Sequence, residues 1–324
     1  MNLKGRDWIT TQEWNVEEIQ HLIDRSIELK GQFKAGEPHR LLPDKTLFMF
    51  FFDKSTRTRN SIEAGITQLG GHAHFVDSQT SQIAHGESPR DMGIILSSYG
   101  HGIAIRHDLV PGEGNSYMRE VAEHASVPVM NMQCDVDHPM QTLADLMTLQ
   151  ELRGGNLKGM KMAVSWAYAP SYAKPLSAPQ GLITLMTRFG IDVTLAHPPG
   201  YELMDDQVEL ARANAAAAGA KFEIVNDMDA AFQGADVVYP KSWGALPYFA
   251  KPEEGLELSK KHRDWICDER RMGLTAGDSH YMHCLPADRN NEVTDAVIDG
   301  PRSVVYQEAE NRMHTAKAIM AETM

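Results

Sequence analysis

What this 324-residue chain has little of sets the first limits. Cysteine occurs three times, at Cys134, Cys267 and Cys284, an odd number with no CxxC pair. A disulfide framework is therefore not expected, and a reducing cytoplasm is the expected compartment. No apolar run approaches the about 20 residues a membrane-spanning helix needs. The opening stretch, MNLKGRDWITTQEW, is polar, so neither a secretory signal nor an anchor is expected there. Positive charge is in deficit: 31 Lys and Arg against 44 Asp and Glu leave a net charge of −13. That balance argues against general affinity for nucleic acid or an anionic membrane, and an anionic substrate would need a locally positive pocket. Repeats and low-complexity tracts are also missing; Ala215 to Ala218 is simply good helix material.

What is present is ordinary globular material, 42% hydrophobic and 23% charged, long enough for about two domains. The most informative stretch is LFMFFFDKSTRTRNSIE, Leu47 to Glu63. Leu47 to Phe52 reads as a strand buried on both faces, the kind found in parallel sheets. Ser55 and Thr56 are N-cap types, and Ile62, Ile66 and Leu69 recur at helical spacing until Gly70 and Gly71. A helix start leaves backbone N–H groups unpaired, and Ser55, Thr56, Thr58, Arg57 and Arg59 add hydroxyls and guanidinium forks. This arrangement suits a phosphate, although solvated arginines behind an ordinary cap would look the same in isolation.

Along the chain, strands are expected at 72–77, 102–107, 127–132, 162–166, 192–196, 221–225, 236–240 and 303–307, with helices between them, and a late strand just before His283. The polar segment 78–91 reads as a long loop, and a final helix is expected from Glu308 to Glu322. The alternation predicts an α/β protein of two Rossmann-like domains, each a parallel sheet covered by helices. Ligands in such sheets bind beyond the carboxyl ends of the strands. Polar groups gather there at Ser55 to Arg59, at Arg106, at His138 and Gln141 where a helix opens with Pro139, and at His283, Cys284 and Leu285. Arg312 on the last helix is a fifth candidate. His280, His283 and Cys284 lack a fourth ligand at an accepted spacing, so zinc is not expected.

Five motifs in this order resemble the aspartate/ornithine carbamoyltransferase superfamily over nearly the whole chain: Ser55-Thr56-Arg57-Thr58-Arg59, the loop Ser81 to Ser88, His138-Pro139-Met140-Gln141, His283-Cys284-Leu285-Pro286, and Glu308 to His314. The resemblance implies a carbamoyl phosphate-binding domain over 1–152, joined by the C-terminal helix 308–324, and an amino acid-binding domain over 153–307. It implies that Ser55, Thr56, Arg57 and Thr58 grip the phosphate. Arg106, His138 and Thr58 would polarise the carbonyl oxygen, and Arg312 would add charge near it. Gln141 and the backbone carbonyls near Cys284 and Leu285 would hold the amino group. Arg106, His138, Gln141 and Arg312 are thus the implied catalytic residues. The leaving phosphate can accept the amine's proton, so neither a metal nor an organic cofactor is expected. Gln82 would reach a neighbouring subunit's site, which implies a homotrimer with shared sites.

For the second substrate the pattern departs from ornithine enzymes, which carry an aspartate and a Ser-Met-Gly turn; here the stretch is Lys241-Ser242-Trp243-Gly244-Ala245-Leu246-Pro247. With Trp166 to Pro170 and Lys174-Pro175-Leu176, it is similar to the branch holding N-acetylornithine and N-succinylornithine carbamoyltransferases and relatives of unassigned substrate. Lys241, Ser242, Trp243 and Leu285 are the implied amino-acid contacts, with Lys241 facing a substrate carboxylate. Asp135 and Asp137 are alternative contacts for a substrate ammonium. In that branch the proline loop, with Pro170, Pro175 and Pro179, belongs to a trefoil knot in the second domain. Transfer to ornithine or a diamine, and a catalytically silent anion-binding homologue, are the alternatives.

Overall fold

The computed structural model describes residues 1–108, 110–171 and 174–324. They form two compact units, Met1–Met147 with Ala309–Met324, and Thr148–Glu308.

In the first unit, helix α1 (Val16–Lys34) opens on Asn15, whose side chain accepts from the Glu18 N–H while Glu18 reaches back to the Asn15 N–H. This reciprocal capping box satisfies two of the donors that any helix start leaves unpaired. Then follow β1 (Thr46–Phe51), α2 (Arg57–Gln68), β2 (His72–Asp77), α3 (Pro89–Tyr99), β3 (Gly102–His107), α4 (Gly114–His124), β4 (Val129–Cys134) and α5 (Pro139–Arg153), which runs into the second unit. The sheet is parallel, in the order β2-β1-β3-β4. Every residue of β1 after Thr46 is buried, as a strand covered on both faces requires. Phe48, Phe50, Ile103, Ile105, Met118, Val121 and Val129 form one core cluster of this unit. Each such side chain contributes roughly 1.5–3 kcal/mol on burial.

The second unit holds β5 (Lys161–Trp166), α6 (Ser177–Arg188), β6 (Asp192–Ala196), α7 (Asp205–Ala218), β7 (Phe222–Val225), α8 (Met228–Phe232), β8 (Val237–Lys241), α9 (Pro252–Lys260), α10 (Glu269–Met272), β9 (His280–Tyr281) and α11 (Asp295–Ile298). Its sheet is also parallel, in the order β7-β6-β5-β8-β9. Helix α12 (Val305–Thr323) closes the chain.

Two expectations need correction. The strand expected at 303–307 is the first turn of α12, apart from a single bridge between Tyr281 and Ser303. The run SVVYQ is too short for periodicity to separate a strand from a helix start, and the Glu308 N–H bonds to the Val304 carbonyl. The long loop at 78–91 contains two 3-10 turns, Ser78–Thr80 and Gln82–His85, and α3 starts early because Ser88 caps it ahead of Pro89. The knot expectation falls on the 165–180 loop, of which residues 172 and 173 lie outside the described residues. Among the described residues no helix is long and apolar enough to cross a membrane, and no cluster of His, Cys, Asp or Glu is placed to hold a metal.

Candidate active site

In the first sheet the chain leaves β1 on one side toward β2 and returns on the other at β3. The carboxyl ends of β1 and β3 therefore flank a topological switch point, where crossover loops diverge and leave a crevice. Phe51 pairs with Arg106 there, and the Phe52 N–H donates to the Arg106 carbonyl at 3.0 Å. The β3–β4 register shifts between Ile105 and Arg106, an irregularity of the kind that re-aims a side chain.

Into this crevice the loop after β1 delivers Ser55 to Thr58. Thr56 stands at the cap position of α2, but its φ of −89° and ψ of −55° are helical and its side chain makes no cap bond. The conventional N-cap suggested by the sequence is thus replaced by a helix start with an uncapped first turn. Thr58 is buried, and its Oγ1 accepts from Arg312 Nη2 at 2.6 Å and from Arg106 Nη1 at 3.4 Å. Arg106 Nη1 also reaches Ser55 Oγ at 3.4 Å, and its Nη2 donates to Asp108 Oδ2 at 3.0 Å. Arg59 turns elsewhere, stacking on Phe75 at 3.7 Å beside a cleft of about 370 Å³ that Ser55 and Thr56 also line.

His138 caps α5: its carbonyl accepts from the N–H groups of Gln141 and Thr142. The turn before it is built on Cys134, whose Sγ accepts from the Val136 and Asp137 N–H groups. The imidazole is buried, with its Nδ1 sealed from solvent and without a partner among the described residues. Burial, then Arg312, Arg106 and Arg57, holds His138 well below the ordinary histidine range, so the ring is neutral at physiological pH. One turn along, Gln141 Nε2 donates to the buried Asp145 at 2.7 Å. Asp137 accepts from the Thr11 N–H at 3.0 Å, and burial pushes its carboxyl up to about 6. Asp135 receives the N–H groups of Gly112 and Asn115, both at 2.7 Å. Asp135 and Asp137 thus both hold backbone.

Gly114 is part of the same framework. A Cβ there would stand 1.8 Å from the His107 carbonyl oxygen and 3.1 Å from Asp135 Oδ1. Gly114→Ala is expected to cost about 1–3 kcal/mol, read as a lower midpoint in urea at unchanged slope. An alanine variant as stable as the wild type would show that this loop relaxes freely.

In the second unit the switch point lies between β5 and β8, where Trp166 pairs with Lys241. Lys241 is buried, and its Nζ donates to the Ser242 carbonyl at 2.8 Å and stands 3.6 Å from Glu292 Oε1. Glu292, wholly buried, is the hub of this region. It accepts from Ser242 N–H and Oγ, both at 2.7 Å, and from the Asp288 N–H at 2.6 Å, with Lys174 Nζ at 3.9 Å. His283 Nδ1 accepts the Leu285 N–H at 2.9 Å, which places its proton on Nε2, 3.5 Å from Glu292 Oε2. Leu285 carries a positive φ of 50°, costly for a γ-branched residue, so this bond helps hold a strained backbone. Trp243 is buried, with its indole N–H on the Tyr201 carbonyl at 2.9 Å.

The structure therefore brings Ser55, Thr58, Arg106 and Arg312 into one hydrogen-bonded group, with Arg57 and His138 close enough to interact electrostatically. Gln82 lies apart, exposed on its 3-10 turn. Asp108, Asp145 and Glu292 were missed by sequence reasoning. Only Asp108 carried a local signal, two residues beyond a strand-terminal arginine.

Three arginines gather at a parallel-sheet switch point in a chain of two α/β units, the place where α/β proteins hold their ligands. Residues 6–151 match the family model described as "Aspartate/ornithine carbamoyltransferase, carbamoyl-P binding domain", and 179–323 match the "Asp/Orn binding domain" of the same family. The chain belongs to the aspartate/ornithine carbamoyltransferase family, transferases that use carbamoyl phosphate. It is 41% identical to YgeW of Escherichia coli (strain K12), a protein named provisionally as a carbamoyltransferase, over 95% of this chain and 87% of that one. The ornithine carbamoyltransferase structure from Pyrococcus furiosus is 37% identical, with a TM-score of 0.90, covering 100% of this chain and 98% of that one. A structure of acetylornithine transcarbamylase complexed with acetylcitrulline is 34% identical, with a TM-score of 0.90, covering 98% of each chain.

Proposed function

We propose that the protein transfers the carbamoyl group of carbamoyl phosphate to the amine of an amino acid or acylated amino acid, giving a ureido product and phosphate. The observation that carries this reading is the convergence of Arg106 and Arg312 on the Thr58 hydroxyl, beside a neutral, buried His138. The amine's lone pair forms the new C–N bond, negative charge gathers on the carbonyl oxygen, and the C–O bond to phosphate breaks. Fixed donors aimed at that oxygen lower the barrier without having to reorganise. Arg106, Thr58 and His138 supply them, and a neutral imidazole can donate from one nitrogen. Ser55, Thr56, Arg57 and the N–H groups opening α2 hold the phosphate, which leaves with the amine's proton. Anchored by Asp145, Gln141 takes the amino group. The assignments of Gln82, Cys284 and Leu285 rest on the family motifs alone.

The acceptor is the amino-acid side of the same reading. Lys241 and Ser242 stand at the second switch point, and we assign Lys241 to a substrate carboxylate. Phosphate release from carbamoyl phosphate tests this against ornithine, N-acetyl- and N-succinylornithine, 2,3-diaminopropionate, aspartate, putrescine and lysine. One amine that stimulates release is expected, with its carboxylate required. Silence across the panel would sink the transfer reading in favour of an anion-binding role.

We also assign a homotrimer in which Gln82 enters a neighbouring site. It is supported by the exposure of Gln82 and by the exposed apolar side chains Ile94, Ile95 and Tyr99 on α3. Sedimentation at assay concentrations should give three chains per particle; a fully active monomer would contradict shared sites.

A further inference from the structure

We infer that Asp108 is a positioning residue: it tethers one edge of the Arg106 guanidinium so that the other edge faces the carbonyl of carbamoyl phosphate, and it withholds part of that arginine's charge from the phosphate. The inference rests on the carbamoyl-transfer reading above and adds a residue to which that reading gives no role.

The geometry of the fork is the starting point. Arg106 Nη2 makes its 3.0 Å bond to the Asp108 carboxylate, whereas Nη1 reaches the hydroxyls of Ser55 and Thr58 only at 3.4 Å. A charge-assisted bond of ordinary length outweighs two long bonds to neutral oxygens, so Asp108 sets the direction of the guanidinium before any ligand arrives. The other two contacts are loose enough to yield to a substrate oxygen.

Asp108 is itself held firmly. Its side chain has no exposure, and the residue before it, His107, stacks on Phe52 with ring centres 4.1 Å apart and planes at 22°. Phe52 donates its N–H to the Arg106 carbonyl, and the His107 carbonyl lies so close to Gly114 that a Cβ there would not fit. The tether thus stands on a braced segment, as pre-organisation of a catalytic cation demands.

Two features separate this role from that of a plain structural ion pair. Among the described residues no other residue bonds the buried Asp108 Oδ1, so the carboxylate acts on Arg106 through its other oxygen alone. The carboxylate is also paired to Arg106, which together with Arg57 and Arg312 acts on a neutral His138. Burial pushes its carboxyl up, Arg106 pulls it back and Asp53 adds to the rise. A buried negative charge in a site for an anion opposes ligand affinity, and this one opposes it while orienting the donor. Both effects favour turnover over tight holding of phosphate, which must leave as product.

The test uses the full chain, with Asp108→Asn and Asp108→Glu. Inorganic phosphate and carbamoyl phosphate are titrated calorimetrically, and kcat is measured with the amine that responds best. Asp108→Asn is expected to bind inorganic phosphate at least about threefold more tightly, because one negative charge has left the cluster. Its kcat is expected to fall at least about tenfold, because a neutral amide oxygen holds the guanidinium more weakly than a carboxylate does. Asp108→Glu keeps the charge and displaces the tether, so phosphate affinity should stay near the wild-type value while kcat remains low. A purely structural role would lower affinity and turnover together. That parallel loss, or unchanged phosphate affinity in Asp108→Asn, would overturn the proposal. Wild-type protein that binds neither ligand would overturn the carbamoyl-transfer reading and this proposal with it; wild-type binding with no Asp108 effect removes this proposal alone.

Discussion

Replacing Arg106 with lysine is expected to lower kcat by about 10²- to 10³-fold while leaving the fold intact. The substitution keeps the positive charge and removes the planar fork. In the wild type that fork reaches Ser55 and Thr58 from one nitrogen and Asp108 from the other. A lysine ammonium is a flexible point charge and cannot span both directions, so it would settle on Asp108 and leave the carbonyl oxygen without its donor. Binding of inorganic phosphate should change much less, since Arg57 and the α2 start remain. A lysine variant within a few-fold of wild-type kcat would show that charge alone suffices. The pH profile of the two proteins should share one midpoint. His138 is already neutral above its depressed pKa, so the rise in activity with pH should follow the substrate amine, ordinarily about 7.7 to 8.0 for an α-amino group and about 10.4 for a side-chain amine.

The largest effect on stability is expected at Glu292. Glu292→Ala should cost about 3–5 kcal/mol, because it leaves Lys241 buried without its counter-ion and strips acceptors from Ser242 and Asp288. Glu292→Gln, which can still accept some of these bonds, should lose less. Burial pushes the Glu292 carboxyl up, but Lys241 and then His283 outweigh it, and it lies well below the usual 4.5. A folded-state pKa depressed in this way contributes stability that is fully present above pH 4.5 and is lost as pH falls through the folded value. Urea unfolding at pH 7 and in the acid range should therefore show the gap between wild type and Glu292→Gln closing on acidification. A Glu292→Ala protein within 1 kcal/mol of wild type would show that water or a rearranged Asp288 replaces the carboxylate.

Much of this protein was legible locally. The apolar run from Leu47 identified β1 to within a residue, because a strand buried on both faces leaves no polar positions. Pro139 after His138 marked the start of α5, because a proline lacks the N–H that a first turn leaves unpaired. Where local signals failed, they were too short: SVVYQ has strand-forming residues, yet Glu308 bonds back to Val304 and the segment is helix. Thr56 has the chemistry of a cap, but its own helical backbone angles turn that hydroxyl away from the role.

Strand order and long-range pairing belonged to the tertiary structure. Whether the loop after β1 meets Arg106 depends on β3 lying against β1 rather than against β2, and no pattern within either strand encodes that neighbour. Arg312 and Thr58 are 254 positions apart, and Lys241 and Glu292 meet only because separate loops of the second unit fold over one carboxylate. Composition, periodicity and motif order act through residues close in the chain, and they determined the α/β class and the family resemblance. The direction of the Arg106 fork, the neutrality of His138 and the buried charge on Glu292 arise from distance and desolvation, which exist only once the chain is packed.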